Sequence, residues 1–160
     1  MVEYRWGQGV DAHRLVKGRS LILGGVAIPY EFGLLGHSDA DVLTHAIIDA
    51  ILGALALGDI GQWFPDTDQA FHNANSMTLL RSVLGSASLS KWSISNLDST
   101  VIAQQPKLAT HIPAIRQSLA ETFNCGIEKI SVKAKTTEGM GFCGRSEGIG
   151  CMAVISMRSS

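Results

Sequence analysis

The stretch "SDADVLTHAIIDAILGALALG", residues 38–58, constrains the fold more than any other part of the chain. Apolar residues recur at Leu43, Ile47, Ala50, Ile51, Ala54 and Leu55, and that period predicts a helix from Asp39 to Leu57. Ser38 sits at the N-cap position with Asp41 three residues on, a capping-box arrangement, and Gly58 marks the expected end. The apolar run is too short to cross a bilayer and carries Asp49, so it reads as a helix of a folded core.

Strands are expected on either side of it. "SLILGGVAI", residues 20–28, is rich in β-formers and stops at Pro29, and Tyr4 to Asp11 reads as a shorter strand. "DIGQWFPDTDQAFHNA" reads as loop, and a second helix is expected over Ser76 to Gly85. "WSISNLDSTVIAQ", residues 92–104, is a long strand stopped near Pro106. Thr110 to Phe123 is a third helix, with Pro113 tolerable in its first turn. "KISVKAKTT" and "GCMAVISMR" supply two more strands. The order β-β, helix-helix, β-α-β-β predicts an α+β fold, a mixed sheet covered on one face by helices, rather than a Rossmann-type winding.

No internal repeat, low-complexity tract or linker breaks the 160 residues, enough for one domain with a sizeable core. Net charge is −1 with no basic run, which argues against nucleic acid or an anionic membrane as partner. Charged residues make up 17% of the chain, against a usual value of about 25%. A surface so poor in charge points to a subunit contact. Cys125, Cys143 and Cys151 are odd in number without a CxxC spacing, and read as small core residues in a reducing compartment. "MVEYRWGQG" shows no signal-peptide pattern, so a cytoplasmic protein is expected; a processed plastid-type protein would read the same.

The chemistry begins at "GVDAHRL", residues 9–15. Asp11 and His13 are two apart, which on extended backbone points both side chains to one face. Alone, such a pair is common and reads as two hydrogen-bonded groups at a strand end. The helix changes that balance. Ser38, Asp41, His45 and Asp49 run down one side of it, a polar stripe with no Lys or Arg on a strongly apolar helix. Unpaired burial of such groups costs about 1–3 kcal/mol each, so the stripe must face water, a ligand or a partner. His45 is then the third ligand beside Asp11 and His13, with Asp41 or Asp49 placed to orient its second ring nitrogen. Asp, His and His suit zinc with an open fourth position, the pattern of a catalytic centre. His37 and Ser38 stand where free N–H groups at the helix start would favour a phosphate.

Other motifs are weaker when read alone. "FPDTD", residues 64–68, is an acidic Pro–Asp turn. "AQQPKLA", residues 103–109, reads as a strand exit carrying Lys107. "KTTEGMGFCGRSEG", residues 135–148, is rich in glycine, as phosphate-approaching loops are, but matches no Walker pattern.

Taken in order, "GQGVDAHRL", "GLLGHSDADVLTHAIIDAILGALALGDIG", "FPDTD", "IAQQPK" and "VKAKTTEGMGFCGRSEGI" resemble the 2-C-methyl-D-erythritol 2,4-cyclodiphosphate synthases over essentially the whole chain. The resemblance implies a homotrimer of single-domain α+β subunits with active sites between neighbours. It implies conversion of 4-diphosphocytidyl-2-C-methyl-D-erythritol 2-phosphate to the cyclic diphosphate with release of CMP, in the non-mevalonate route to isoprenoids. Asp11, His13 and His45 would bind Zn2+, with Asp11 and His13 also against substrate. His37 and Ser38 would hold the substrate phosphate, and Asp59, Ile60 and Gly61 would meet the ribose. Phe64, Pro65, Asp66, Thr67 and Asp68 would form a flexible loop over the methylerythritol phosphate.

The same resemblance places Ala103, Lys107, Leu108 and Ala109 around the cytidine, in a segment that includes Gln104, Gln105 and Pro106. Lys135, Thr136 and Thr137 would lie nearby, and Glu138 would help bind Mg2+ or Mn2+ bridging the substrate diphosphate. Phe142 and Arg145 join the implied substrate residues, and Val10 and Arg145 would border an axial cavity that in this family can hold isoprenoid diphosphates. His37 and Thr136 match the family's transition-state-stabilising positions. Two other readings compete. A zinc hydrolase would need a general base at the metal, and HExxH is absent. A non-catalytic trimer binding isoprenoid diphosphates would have no need of an intact Asp11, His13 and His45 set.

Overall fold

Residues Tyr4–Lys17 alternate in burial along one 14-residue strand, β1, longer than the sequence pattern predicts because Ala12 to Lys17 continue its pairing. Arg5, Gly7, Gly9, Asp11 and His13 share its inner face. The computed structural model describes residues 1–160. After β1 come β2 (Leu21–Leu23), β3 (Val26–Ile28) and β4 (Phe32–Leu34), then α1 (Val42–Ala54), α2 (Ile60–Trp63) and α3 (Ser76–Leu84). The second half holds β5 (Trp92–Ile102), α4 (Ile112–Phe123), β6 (Ile130–Lys135), α5 (Gly141–Gly144) and β7 (Gly148–Ser159). Five strands form one mixed sheet in the order β4-β1-β7-β5-β6, parallel only between β5 and β6. The α+β class and the mixed sheet are as expected.

Three local readings need correction. "SLILGGVAI" is not one strand: Gly24 and Gly25 have φ of 57° and 77°, the pair of left-handed residues that a two-residue hairpin loop demands, so the segment folds back as the separate β2-β3 sheet. The long helix starts at Val42, and its N-cap is Asp41, not Ser38. Asp41 accepts from the Thr44 N–H at 3.0 Å, the Thr44 hydroxyl at 2.8 Å, and the Gly24 and Gly25 N–H groups at 3.0 and 2.8 Å. Its carboxylate is wholly buried; burial pushes its pKa up, and those four bonds pull the other way. The helix ends at Ala54, before Gly58. The loop after it also holds the short α2, capped by Asp59.

The core is one cluster in which α1 lies between the inner face of the sheet and α3. Ile149, Cys151, Ala153, Ile155 and Met157 line that face from β7, while Met152 and Val154 point outward and are exposed. Tyr4, Trp6 and Val10 are exposed with them, Val10 directly opposite Met152. This apolar outer face answers the low charge fraction. Cys143 and Cys151 are buried as expected, Cys125 only partly.

Two glycines let α1 approach β1. A Cβ at Gly9 would stand 1.8 Å from the Ala46 carbonyl oxygen, and one at Gly7 would stand 1.8 Å from that of Ala50. Backbone cannot yield as a side-chain tip can. Gly9→Ala should therefore lower stability by about 3 kcal/mol, at the top of the usual overpacking range, measured by denaturant unfolding. A loss under about 0.5 kcal/mol would show that α1 slides freely on the sheet.

Candidate active site

The close approach at Gly9 delivers His45, on the first turn of α1, to the inner face of β1 where Asp11 and His13 point. His13 Nε2 lies 2.8 Å from Asp11 Oδ2, and His45 Nδ1 lies 3.2 Å from both that oxygen and His13 Nε2. Ligands 2.0–2.1 Å from a tetrahedral metal stand about 3.3 Å apart, so the three atoms fit one four-coordinate ion with a position left open. His13 Nδ1 donates to the Leu35 carbonyl at 2.9 Å, which turns Nε2 toward the shared point. Burial opposes ionisation of Asp11, yet hydrogen bonds from His13 and His45 and their charge hold its pKa well below the usual range. Burial likewise opposes the charged form of His13, but the hydrogen bond and charge of Asp11 outweigh it and raise its pKa.

The triad opens into a cavity of about 250 Å³. His37, Ser38, Ile60, Gly61, Phe64 and Asp66 line it, with Gly36, Phe71 and Leu79. Asp49 does not orient His45. It accepts from the Ile60 N–H at 2.7 Å and so pins the start of α2 beside the cavity. His37 Nε2 is buried without a hydrogen-bond partner, while its ring meets His72 edge-on at 4.9 Å between centroids. Arg19 donates to the Ser38 carbonyl at 2.7 Å and braces the loop that carries both residues.

A family model described as the YgbB family matches residues 4–158. The chain belongs to the YgbB family. It is 60% identical over 153 residues to a 2-C-methyl-D-erythritol 2,4-cyclodiphosphate synthase of Geobacter metallireducens, covering 96% of this chain and 98% of that one. Among solved structures, the bifunctional IspDF of Campylobacter jejuni matches with a TM-score of 0.95 and 42% identity over 100% of this chain, which spans 43% of that longer one. A CDP complex of IspF from Plasmodium falciparum matches with a TM-score of 0.85 and 36% identity, covering 98% of this chain and 97% of that one.

In this YgbB chain the remaining predicted residues gather elsewhere. Asp59 is exposed, its carboxylate accepting from the Gln62 backbone at 3.0 Å. Pro65, Thr67 and Asp68 lie beside the cavity in sequence without lining it, and Asp68 caps the following turn at Ala70. The segments 103–109 and 135–139 meet where β5 and β6 end in parallel. The Ala103 N–H donates to the Lys135 carbonyl at 2.9 Å, and the Gly139 N–H to Gln104 Oε1 at 3.2 Å. Ala103 and Leu108 are buried; Gln105, Lys107, Ala109, Lys135 and Glu138 are exposed, and Gln105–Pro106 is a cis peptide. None of these residues, nor Thr136, lines the cavity beside Asp11, His13 and His45. Asp11 pairs with Cys151, Cys151 with Val101, and Val101 with Ala134. Three strand spacings, about 14 Å, therefore separate the Asp11 row from β6. Thr137 and Phe142 line a second cavity of about 260 Å³ with the outward Val10 and Met152, and Arg145 is exposed with its guanidinium 3.1 Å from Glu147.

The helix-end phosphate reading fails in its physical basis: the Asp41 carboxylate occupies the start of α1, and His37 and Ser38 precede it in a loop. Sequence reasoning also missed what faces the far side of His45. That is Ser76, whose Oγ is 2.8 Å from His45 Nε2, backed by Asp39. A lone Ser at the start of another helix carries no signal for this.

Proposed function

We propose that this chain converts 4-diphosphocytidyl-2-C-methyl-D-erythritol 2-phosphate into 2-C-methyl-D-erythritol 2,4-cyclodiphosphate and CMP, for the non-mevalonate route to isoprenoids. The observation that carries the reading is the Asp11, His13, His45 cluster beside its cavity, in a chain so similar to named synthases over nearly its full length. All 160 residues are read as one catalytic domain, cytoplasmic and homotrimeric; no helix is long and apolar enough to cross a membrane. The apolar outer face of the sheet supports burial against neighbours, and Val10 and Arg145 would then border the axial cavity for an isoprenoid diphosphate.

In the reaction a 2-phosphate oxygen bonds to the β-phosphorus, the bond from that phosphorus to the CMP oxygen breaks, and the electron pair leaves with CMP. The nucleophile belongs to the substrate, so alignment and charge neutralisation are what the protein must provide. Zn2+ on Asp11, His13 and His45 would supply Lewis-acid polarisation of the β-phosphate, and Mg2+ or Mn2+ at Glu138 would offset leaving-group charge. A hard ion of the second kind is commonly held by one carboxylate plus substrate phosphates, which the exposed Glu138 fits. His37, with its unpartnered ring nitrogen, and Ser38 would bind the phosphate, and His37 and Thr136 would stabilise the transition state. Asp59 and Gly61 would hold the ribose and Ala103, Lys107, Leu108 and Ala109 the cytidine, with Lys135 and Thr136 nearby; Ile60, Gln104, Gln105, Pro106, Thr137, Phe142 and Arg145 complete the substrate-binding set.

Phosphorus NMR of the protein with the cytidyl substrate, zinc and magnesium tests the reading. CMP and the cyclic diphosphate should appear together; CMP without the cyclic product would identify a hydrolase instead. The loop 64–68 should act as a lid. Asp66 and Thr67 are exposed in a turn and Asp68 is exposed after it, with Asp66 at the cavity rim. Amide exchange there should slow on substrate binding, and equal exchange in both states would remove the lid role.

A further inference from the structure

We infer that Asp39, acting through Ser76, is a positioning device that fixes the tautomer of His45 against a competing hydroxyl, Ser38. The inference rests on the metal reading above. His45 Nε2 has two oxygens within reach: Ser76 Oγ at 2.8 Å and Ser38 Oγ at 3.2 Å. Ser76 can only accept from Nε2, whereas Ser38 can also donate to it. A serine has one proton to donate, and the Ser76 hydroxyl donates its proton to Asp39 Oδ1, since a carboxylate only accepts. Asp39 Oδ2 also accepts from the Ser76 N–H at 3.0 Å, so both donors of the residue are committed to one carboxylate. Ser76 Oγ is thus left as a pure acceptor, and His45 Nε2 must carry hydrogen to satisfy it. Nδ1 is then the nitrogen turned to the point shared with Asp11 and His13; it lies 3.2 Å from Asp11 Oδ2, and a metal that takes its lone pair displaces any proton held between the two.

Ser38 pulls the other way. Its oxygen accepts from the Ala40 N–H at 3.1 Å, and its own proton is uncommitted. Were Nε2 bare, Ser38 would donate to it, the proton would sit on Nδ1, and His45 would no longer offer a metal a lone pair. The Asp39–Ser76 pair wins because its acceptor is closer and charge-backed. Its second effect is to leave the Ser38 hydroxyl free to donate into the cavity it borders.

The test is a zinc titration with a chelating competitor on the purified protein and its variants. Ser76→Ala should weaken zinc binding about 10–100-fold, the range found for outer partners of metal-bound histidines. Asp39→Asn should weaken it too, but add little in the Ser76→Ala background, because it acts through that hydroxyl. Ser38→Ala placed on Ser76→Ala should recover several-fold, because the competing donor is gone. A purely structural role would not show this rescue. Wild-type protein that binds no zinc would overturn the metal reading itself. Wild-type binding with Ser76→Ala within two-fold of it, or no rescue by Ser38→Ala, would overturn the relay alone.

Discussion

Replacing His45 by alanine should leave a folded protein that has lost stoichiometric metal and at least about 1,000-fold of its activity, the scale of several kcal/mol of Lewis-acid stabilisation. The fold should tolerate the change. Alanine favours helix more than histidine, and the apolar sides of α1 stay packed. Ser76 keeps Asp39 as partner, and the lost imidazole borders a cavity that water can fill. Asp11 and His13 alone offer two ligands where a stable site needs three. Metal content by elemental analysis, circular dichroism and turnover together decide it. A variant with full zinc and full activity would sink the assignment of all three ligands.

The second large effect concerns assembly. Metal-side residues line one cavity, whereas Lys107, Thr136 and Glu138 lie at the ends of β5 and β6, away from it. Each site is therefore expected to draw its metal side from one subunit and its nucleotide side from the next. His45→Ala and Glu138→Gln should each be inactive as homotrimers. Co-expressed in equal amounts, they assemble at random. A working site takes its metal side from the Glu138→Gln chain and its nucleotide side from the His45→Ala chain. In a cyclic head-to-tail trimer each condition holds half the time, so activity should return to roughly one quarter of wild type. Sites contained in one subunit would give no recovery, because every subunit carries a lesion. That outcome, with mixed trimers verified by mass, would refute the shared site.

The three residues that could hold a metal were legible because each depends on local geometry. Two residues apart on a strand share a face whatever the strand packs against, and His45 stood out on a helix otherwise apolar. The three longer helices, to within a few residues of their ends, and the mixed sheet were legible for the same reason, whereas the β2-β3 hairpin, β4, α2 and α5 were not. Errors cluster where two local signals competed. Both Ser38 and Asp41 are good caps, and only the Gly24–Gly25 hairpin, whose N–H groups need an acceptor, selects Asp41. The same glycine pair hid a hairpin inside a run of β-formers.

What tertiary structure decided is which polar groups meet across the chain. The stripe on α1 supplied an acid for His45 at Asp41 or Asp49, yet packing turned one into a buried cap and the other into an anchor for α2. The orienting partner came instead from Ser76 with Asp39, 37 residues apart in sequence, brought together as α3 packs over α1 and the loop before it. Hydrophobic period records which side of an element is buried, not which element covers it. Hydrogen bonds between distant segments leave no period at all, so the sequence points to the three candidate ligands and the folded chain alone determines what holds them in place.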